Sequence, residues 1–136
     1  MQITHQADYA TRAVLHLARA QNGKLIPTNE IARVQNIPSS FLAKIIAQLS
    51  IAGVLHTFRG AHGGVKLARK PQNITLLEVI EAIDGPIRLN ICVENESDCM
   101  FEKNCPLQII WCDAQQELVT KLKNTNFGQL SASSLG

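Results

Sequence analysis

The sequence lacks any apolar run near the roughly 18 to 20 residues that a membrane-spanning helix needs. Its opening stretch, MQITHQADYATRAVLHLARA, also lacks the basic start and the continuous apolar core of a signal peptide. These absences predict a cytoplasmic chain without a membrane partner. Disulfides are rare in the reducing cytosol, where clustered cysteines more often bind metal or carry out redox chemistry.

The sequence also lacks the usual marks of an enzyme. It contains no nucleophile–base pair, no phosphate-binding loop and no H-E-x-x-H motif. We therefore expect no enzymatic activity. The length of 136 residues is enough for one domain with a hydrophobic core and an appended arm.

Acidic residues are scarce in the first half of the chain. Residues 1–70 carry nine Lys and Arg residues against two carboxylates, a net charge of +7. Residues 71–136 carry four basic and nine acidic residues, a net charge of −5. This asymmetry predicts a basic half that binds a polyanion, although a chance distribution of solvated charge is the alternative.

Three helices are predicted in the basic half, over residues 7–21, over the segment PTNEIARVQ and after Pro38. Apolar residues of the third helix recur at core-facing spacing: Leu42, Ile45, Ile46 and Leu49. Its opposite face carries small or hydrogen-bonding residues and one cation: Ser39, Ser40, Ala43, Lys44 and Ala47. A face of this kind can enter a DNA major groove, with serines reaching bases or phosphates and lysine a phosphate or guanine. Many ordinary helix pairs show the same pattern, so it is not decisive alone.

The segment VLHTFRGAHGGVKLAR has β-forming flanks around a glycine-rich tip. Gly60, Gly63 and Gly64 can supply positive φ and close backbone approach, which predicts a β-hairpin. Arg59 at its tip suits a narrow minor groove, whose negative potential attracts guanidinium. The alternative is a simple turn with a solvated arginine. Together with the helices, the hairpin predicts a winged helix-turn-helix, mainly α with a small β-hairpin wing.

The segment after Pro71 predicts one further helix, ITLLEVIEAIDG, and then a long helix from Pro106. Apolar residues of the long helix follow near-heptad spacing: Leu107, Trp111, Ala114, Leu118 and Leu122. This spacing predicts a dimerisation helix, or else packing onto its own domain. The expected organisation is a DNA-binding domain at 1–70, a connecting helix and linker at 71–91, a cysteine loop at 92–105, the dimerisation helix at 106–123 and a flexible tail at 124–136.

All four cysteines lie between Cys92 and Cys112, separated by six, five and six residues. These spacings fit poorly the C-x₂₋₄-C pairs of zinc sites, whereas iron–sulfur clusters accept looser spacing. Three of the cysteines, Cys92, Cys99 and Cys105, lie on a loop that could wrap an inorganic centre. Cys112 lies about 9–10 Å further along the following helix, so we expect a buried or spare thiol there.

The segments DYATRA, KIIAQLSIAGVL and RGAHGGVKLA, followed by clustered cysteines, resemble the Rrf-two family of bacterial winged-helix regulators. The resemblance covers roughly residues 1–123. It implies a homodimer that binds a palindromic operator in double-stranded DNA, with the third helix in the major groove and the wing arginine in the minor groove. The implied DNA contacts are Ser39, Ser40, Lys44, Arg59 and Gly60.

The resemblance also bears on the cluster. Family members with a 2Fe–2S cluster place a histidine where this chain has Gln108. In the nitric-oxide-sensing branch, three cysteines and an aspartate of the other subunit hold a 4Fe–4S cluster. The resemblance therefore implies a 4Fe–4S cluster rather than 2Fe–2S, held by Cys92, Cys99, Cys105 and Asp8 of the partner subunit. The alternative role of Asp8 is to cap the first helix or to complement its dipole.

These observations together predict a transcription regulator, a repressor, whose operator affinity is controlled by an iron–sulfur cluster that senses nitric oxide, redox state or iron. The alternative is a cluster-binding or thiol redox protein that uses its winged helix for protein contacts.

Overall fold

The computed structural model describes residues 2–20, 23–89 and 105–133. The elements follow in the order α1 (His5–Arg19), α2 (Thr28–Val34), α3 (Ser39–Ile51), β1 (Leu55–Phe58), β2 (Gly64–Leu67), a 3₁₀ turn (Pro71–Asn73), α4 (Leu76–Asp84), α5 (Pro106–Lys123) and α6 (Phe127–Ala132). The predicted fold, mainly helical with one antiparallel hairpin, is confirmed. In the part of the chain that the structure describes, no helix could cross a membrane.

The hydrophobic core lies between α1, α3 and the wing. As predicted, α3 buries Leu42, Ile45, Ile46 and Leu49. Val14 and Leu17 of α1 belong to the same cluster. Full burial of one such side chain contributes about 1.5–3 kcal/mol to the free energy of unfolding. The four buried residues therefore fix the orientation of α3 against the core. The helix then stops before Gly53, whose φ of 80° lies in the left-handed region.

The turn between α2 and α3 gives the two helices their helix-turn-helix arrangement. Asn36 has a φ of 54°, a left-handed conformation that asparagine tolerates better than most residues. Ile37 is buried, and its amide donates to the Ala32 carbonyl at 2.9 Å. Pro38 precedes the first residue of α3. The predicted break before Pro38 is therefore present as a tight turn.

The wing is an antiparallel hairpin in which Leu55 pairs with Leu67 and Phe58 with Gly64. Gly60 has a φ of 109°, as the tip requires. A Cβ on Gly64 would lie 2.6 Å from the Ile26 carbonyl oxygen, so only glycine fits where Ile26 bridges to the hairpin. The wing glycines thus act as predicted, by positive φ and by close backbone approach.

The C-terminal segment differs from the predicted flexible tail. Residues 127–132 form α6, which begins with a capping box between Asn126 and Gln129. Phe127 is 1% exposed and packs into the main core. Its amide donates to the Ile74 carbonyl at 3.0 Å. The expectation of a frayed tail is wrong for this segment because an aromatic anchor and a cap fix it to the domain.

Helix α5 has no buried residue within the single chain. Its first two turns expose four large apolar side chains: Leu107 58%, Ile109 63%, Ile110 57% and Trp111 37%. The later predicted seam positions, Ala114, Leu118 and Leu122, are half-buried. Ile109 and Ile110 were not among the predicted seam residues. The start of α5 thus presents a wider apolar surface than the heptad pattern predicts.

Candidate nucleic-acid interface

The outward face of α3 is the first part of the candidate interface. Ser39, Ser40 and Lys44 are exposed there, together with Ala43 and Ala47. No carboxylate lies on the helix. The core-facing residues of α3 fix the helix to the domain. Because the outward side chains are short, a duplex could approach the helix closely.

Two residues of this face were missed by the sequence reasoning. Phe41 is 40% exposed, and its ring lies 6.3 Å from the Tyr9 ring of α1. Gln48 is also exposed, one turn after Lys44. Both line a groove of about 340 Å³ between α1 and α3. Helical spacing could have placed both residues on the outer face. No pattern in the sequence, however, indicates that an aromatic residue there is exposed.

The wing tip is the second part of the candidate interface. Arg59 and Gly60 are both exposed, at the turn between β1 and β2. Since the hairpin is bridged to Ile26 at Val65, its base is anchored to the domain while the tip projects. An arginine beside a glycine in this position can follow the curvature of a groove.

Both carboxylates of residues 1–70 have a basic side chain nearby. The Asp8 carboxylate pairs with Arg12 at 3.1 Å, and the Glu30 carboxylate lies 3.5 Å from the His16 ring. The remaining cations of this half, apart from Arg69, which pairs with Glu78, have no carboxylate within 4.0 Å among the described residues. They are Arg19, Lys24, Arg33, Lys44, Arg59, Lys66 and Lys70. The basic half therefore presents its charge unneutralised, as a polyanion-binding surface requires.

The cysteines divide between described and undescribed residues. Cys92 and Cys99 lie outside the described residues. Cys105 is half-buried and is the N-cap residue of α5, as the helix start at Pro106 predicts. Cys112 is exposed in the single chain, so of the two expectations, a buried or a spare thiol, the buried one is wrong there. That Cys112 is not a ligand stays a prediction.

Asp8 lies in the first turn of α1 but does not cap it. Thr4 is the N-cap, and its side chain accepts a hydrogen bond from the Ala7 amide at 3.0 Å. The Asp8 side chain is 48% exposed, and among the described residues its carboxylate pairs with Arg12 alone, on the following turn. Its carboxylate complements the positive end of the helix, and its free side is open to a second molecule.

The described residues contain no group of three Cys, His, Asp or Glu side chains close enough to hold a metal ion. Cys105 and Asp8 are the two predicted ligands that the structure places. Each has an accessible side: the Cys105 thiol is free, and the Asp8 carboxylate is half-exposed. Thiolate and carboxylate donors both suit iron, so this donor set fits an iron–sulfur cluster.

Comparison with known proteins identifies the family. Residues 3–133 match the family model described as "Rrf2: Iron-dependent Transcriptional regulator". The chain belongs to the Rrf2 (Rrf-two) family. The predicted resemblance is confirmed, and so is the expectation that the chain is not an enzyme, because the family model and two curated relatives are described as transcriptional regulators.

Three known proteins are similar to this Rrf2 chain. A helix-turn-helix-type regulator of Mycobacterium tuberculosis is 37% identical over 64% of this chain and 54% of its own length, so the chain spans about half of that relative. The regulator NsrR of Halalkalibacterium halodurans is 30% identical, over 79% of this chain and 75% of its own. The solved structure of CymR, the global cysteine regulator of B. subtilis, has a TM-score of 0.83 at 22% identity, with 97% of each chain covered. At that identity the likeness shows the fold alone.

Proposed function

We propose that this Rrf2 protein is a cytoplasmic, homodimeric transcription repressor that binds a palindromic operator in double-stranded DNA and is controlled by an iron–sulfur cluster. The observation that carries the DNA-binding part is the outer face of α3. That face is exposed, holds Ser39, Ser40 and Lys44, and belongs to a half-chain in which nine Lys and Arg residues outnumber two carboxylates.

The proposed contacts combine two kinds of readout. Ser39, Ser40 and Lys44 meet bases and phosphates in the major groove. Arg59 enters the adjacent minor groove, and Gly60 allows the backbone to approach the duplex. The exposed position of all five residues supports this assignment.

The proposed dimer uses α5. Four large apolar side chains stand exposed on its first two turns, an arrangement that a second helix would cover. Twofold symmetry would also place two copies of α3 on the two halves of a palindrome. This is the natural geometry for a winged helix that reads one half-site per subunit.

The proposed cluster is 4Fe–4S, held by Cys92, Cys99, Cys105 and Asp8 of the partner subunit. When bound, it supplies a centre that reacts with nitric oxide or oxidants. The Iron-dependent description of the family model and the similarity to NsrR support this proposal. The position of Cys105 also supports it, because this residue lies at the positive end of the α5 dipole, where an anionic ligand is stabilised.

The proposed control is linkage between ligation and dimer geometry. Cys105 begins the helix that carries the dimer surface, whereas Asp8 lies on α1, whose ring contact between Tyr9 and Phe41 adjoins α3. A ligand set that joins Cys105 of one subunit to Asp8 of the partner subunit favours one spacing of the two α3 helices. Operator affinity then differs between the ligated and unligated states by the coupling free energy.

Anaerobic purification tests the proposal. We expect a brown protein with a visible absorption band and about four iron and four sulfide per subunit, since a 4Fe–4S cluster has that composition. Operator binding should fall steeply with added salt through counterion release, and it should differ between the loaded and stripped protein. Iron-loaded protein without salt-dependent DNA binding would instead favour a redox protein that uses its winged helix for protein contacts.

A further inference from the structure

We propose that a cleft at the base of the wing binds a small organic anion that carries a phosphate group. The cleft has a volume of about 600 Å³ and lies between the end of α1, the β2 strand, the 3₁₀ turn and α6. None of its lining residues belongs to α3 or to the wing tip. It is therefore separate from the proposed DNA contacts, and no function is yet attached to it.

The charge of the cleft is of one sign. Four cations line it, and no carboxylate does so among the described residues: Lys24, Lys66, Arg69 and Lys70. Two of these cations are engaged elsewhere. Arg69 donates to the Asn73 carbonyl at 2.9 Å and pairs with Glu78, and the Lys66 ammonium lies 5.2 Å over the Phe58 ring.

Lys24 and Lys70 are the two cations that remain available. Both are exposed and have no carboxylate within 4.0 Å among the described residues. Two ammonium groups beside one cavity attract an anion of charge −2 more strongly than either does alone. A phosphate group has that charge and offers several acceptor oxygens.

Strand register places the cleft away from the wing tip. Ile26 pairs antiparallel with Val65, so the residues before Ile26 run beside those that follow Val65. Lys24 therefore lies at the base of the hairpin, whereas Arg59 lies at the tip. The β2 strand, from Gly64 to Leu67, spans about 10 Å at 3.3 Å per residue. The cleft thus lies about one strand length from the tip that carries Arg59, which favours a small free anion over the phosphates beside the tip.

The other walls of the cleft indicate what kind of group the phosphate is attached to. Leu17, Ala18 and Pro71 give an apolar side, and Gly128 and Ser131 of α6 close another. The volume is within the range of small-molecule sites. A mixed lining of this kind suits a phosphate joined to an apolar group. Because α6 forms one wall, an anion bound here also stabilises the docking of α6.

Calorimetric titration of the full chain tests the site, with pyrophosphate and phenyl phosphate as probes. We expect one saturable site per chain for phenyl phosphate, and weaker binding of pyrophosphate, which does not use the apolar wall. Lys24→Gln and Lys70→Gln should each weaken phenyl phosphate binding by about tenfold, the effect expected for losing one hydrogen bond to a charged group. Lys123→Gln and Arg33→Gln each remove one positive charge outside the cleft and should leave the affinity unchanged.

A DNA titration distinguishes the two sources of phosphate. Suppose that neither probe binds, and that each cleft variant instead lowers, by about one, the slope of log affinity for non-operator DNA against log salt concentration. The cleft then holds the DNA backbone, and the small-anion proposal is overturned. Equal loss of probe binding in the cleft and control variants would show non-specific charge attraction and would also overturn it. Neither measurement needs the operator or a bound cluster, so a failure here is distinct from a failure of the proposed function.

Discussion

The Thr4 hydroxyl donates a 2.6 Å hydrogen bond to the Asp84 carboxylate, which joins the N-cap of α1 to the last residue of α4. The same hydroxyl oxygen accepts from the Ala7 amide at 3.0 Å. Gly85, with a φ of 79°, follows directly as the C-cap of α4. The end of α4 is thus fixed to the start of the helix that carries Asp8.

Thr4→Ala should lower the free energy of unfolding by about 1 kcal/mol, within the 0.5–2 kcal/mol range for loss of an N-cap. The variant loses both the cap and the hydrogen bond to Asp84. Urea denaturation followed by circular dichroism measures the change. Thr4→Ser keeps the hydroxyl and should stay close to the unchanged protein; a serine variant as unstable as the alanine variant would contradict the capping role.

Arg59→Ala should weaken operator binding by about 1–3 kcal/mol, the range for one good groove contact. The physical reason is the exposed position of Arg59 on the wing tip without a competing carboxylate among the described residues. Fluorescence anisotropy with labelled operator DNA, at several salt concentrations, measures the change. Lys123→Ala removes one cation from the far end of α5 and serves as the control.

Single alanine substitutions should separate the cysteines. Loss of Cys92, Cys99 or Cys105 should abolish the oxygen-sensitive brown chromophore, because each removes one of three thiolate ligands. Cys112→Ala should leave the chromophore largely intact, because this thiol is exposed and lies about two turns along α5 from its N-cap. A bleached Cys112→Ala protein beside a coloured Cys105→Ala protein would show that the ligand set is wrong.

Asp8→Ala should keep a cluster on three thiolates but change its visible spectrum and its rate of reaction with nitric oxide. A carboxylate binds iron less tightly than thiolate does, so the iron on Asp8 is the labile one. Stopped-flow absorption measures the rate. Arg12→Ala keeps the carboxylate and removes the arginine that pairs with it at 3.1 Å, so it should keep the spectrum of the unchanged protein.

A mixed dimer decides which subunit supplies Asp8. One chain carries Asp8→Ala and the other Cys99→Ala. If Asp8 acts across the dimer, the chain with intact cysteines faces an intact Asp8, and that one site should have the unchanged spectrum. If Asp8 acts within its own chain, or only complements the α1 dipole, the mixed dimer should show no unchanged site.

Phe127→Ala should lower the free energy of unfolding by about 3–5 kcal/mol, the range for deleting a buried phenyl group. The side chain is 1% exposed and packs into the main core. Phe41→Ala removes the same group from a site that is 40% exposed and should cost about 1 kcal/mol or less. Equal losses in the two variants, measured by urea denaturation, would contradict the anchoring role of α6.

The parts of the fold that were predictable depend on local signals. The apolar spacing of Leu42 and Leu49 placed the buried side of α3, and Gly60 and Gly64 located the hairpin because few other residues tolerate its backbone. Helix α6 was missed because six residues cannot form a stable helix alone. It exists through the burial of Phe127, a long-range contact that sequence spacing does not reveal.

The candidate site was predictable to a similar extent. Helical spacing put Ser39 and Lys44 on the exposed side, and the residue pattern put Cys105 at a helix start. The pairing of Asp8 with Arg12 was not predicted, although the i, i+4 spacing of the two residues could have indicated it. The ligand role of Asp8 depends on a second copy of the chain, which one sequence does not position.

The burial of Phe127 in the main core has a consequence for how the protein is made. During synthesis the N-terminal helices emerge first, but the core that supports α3 stays incomplete until Phe127 and the rest of α6 have been translated. A chain that stops early therefore lacks part of the packing that holds its DNA-binding surface.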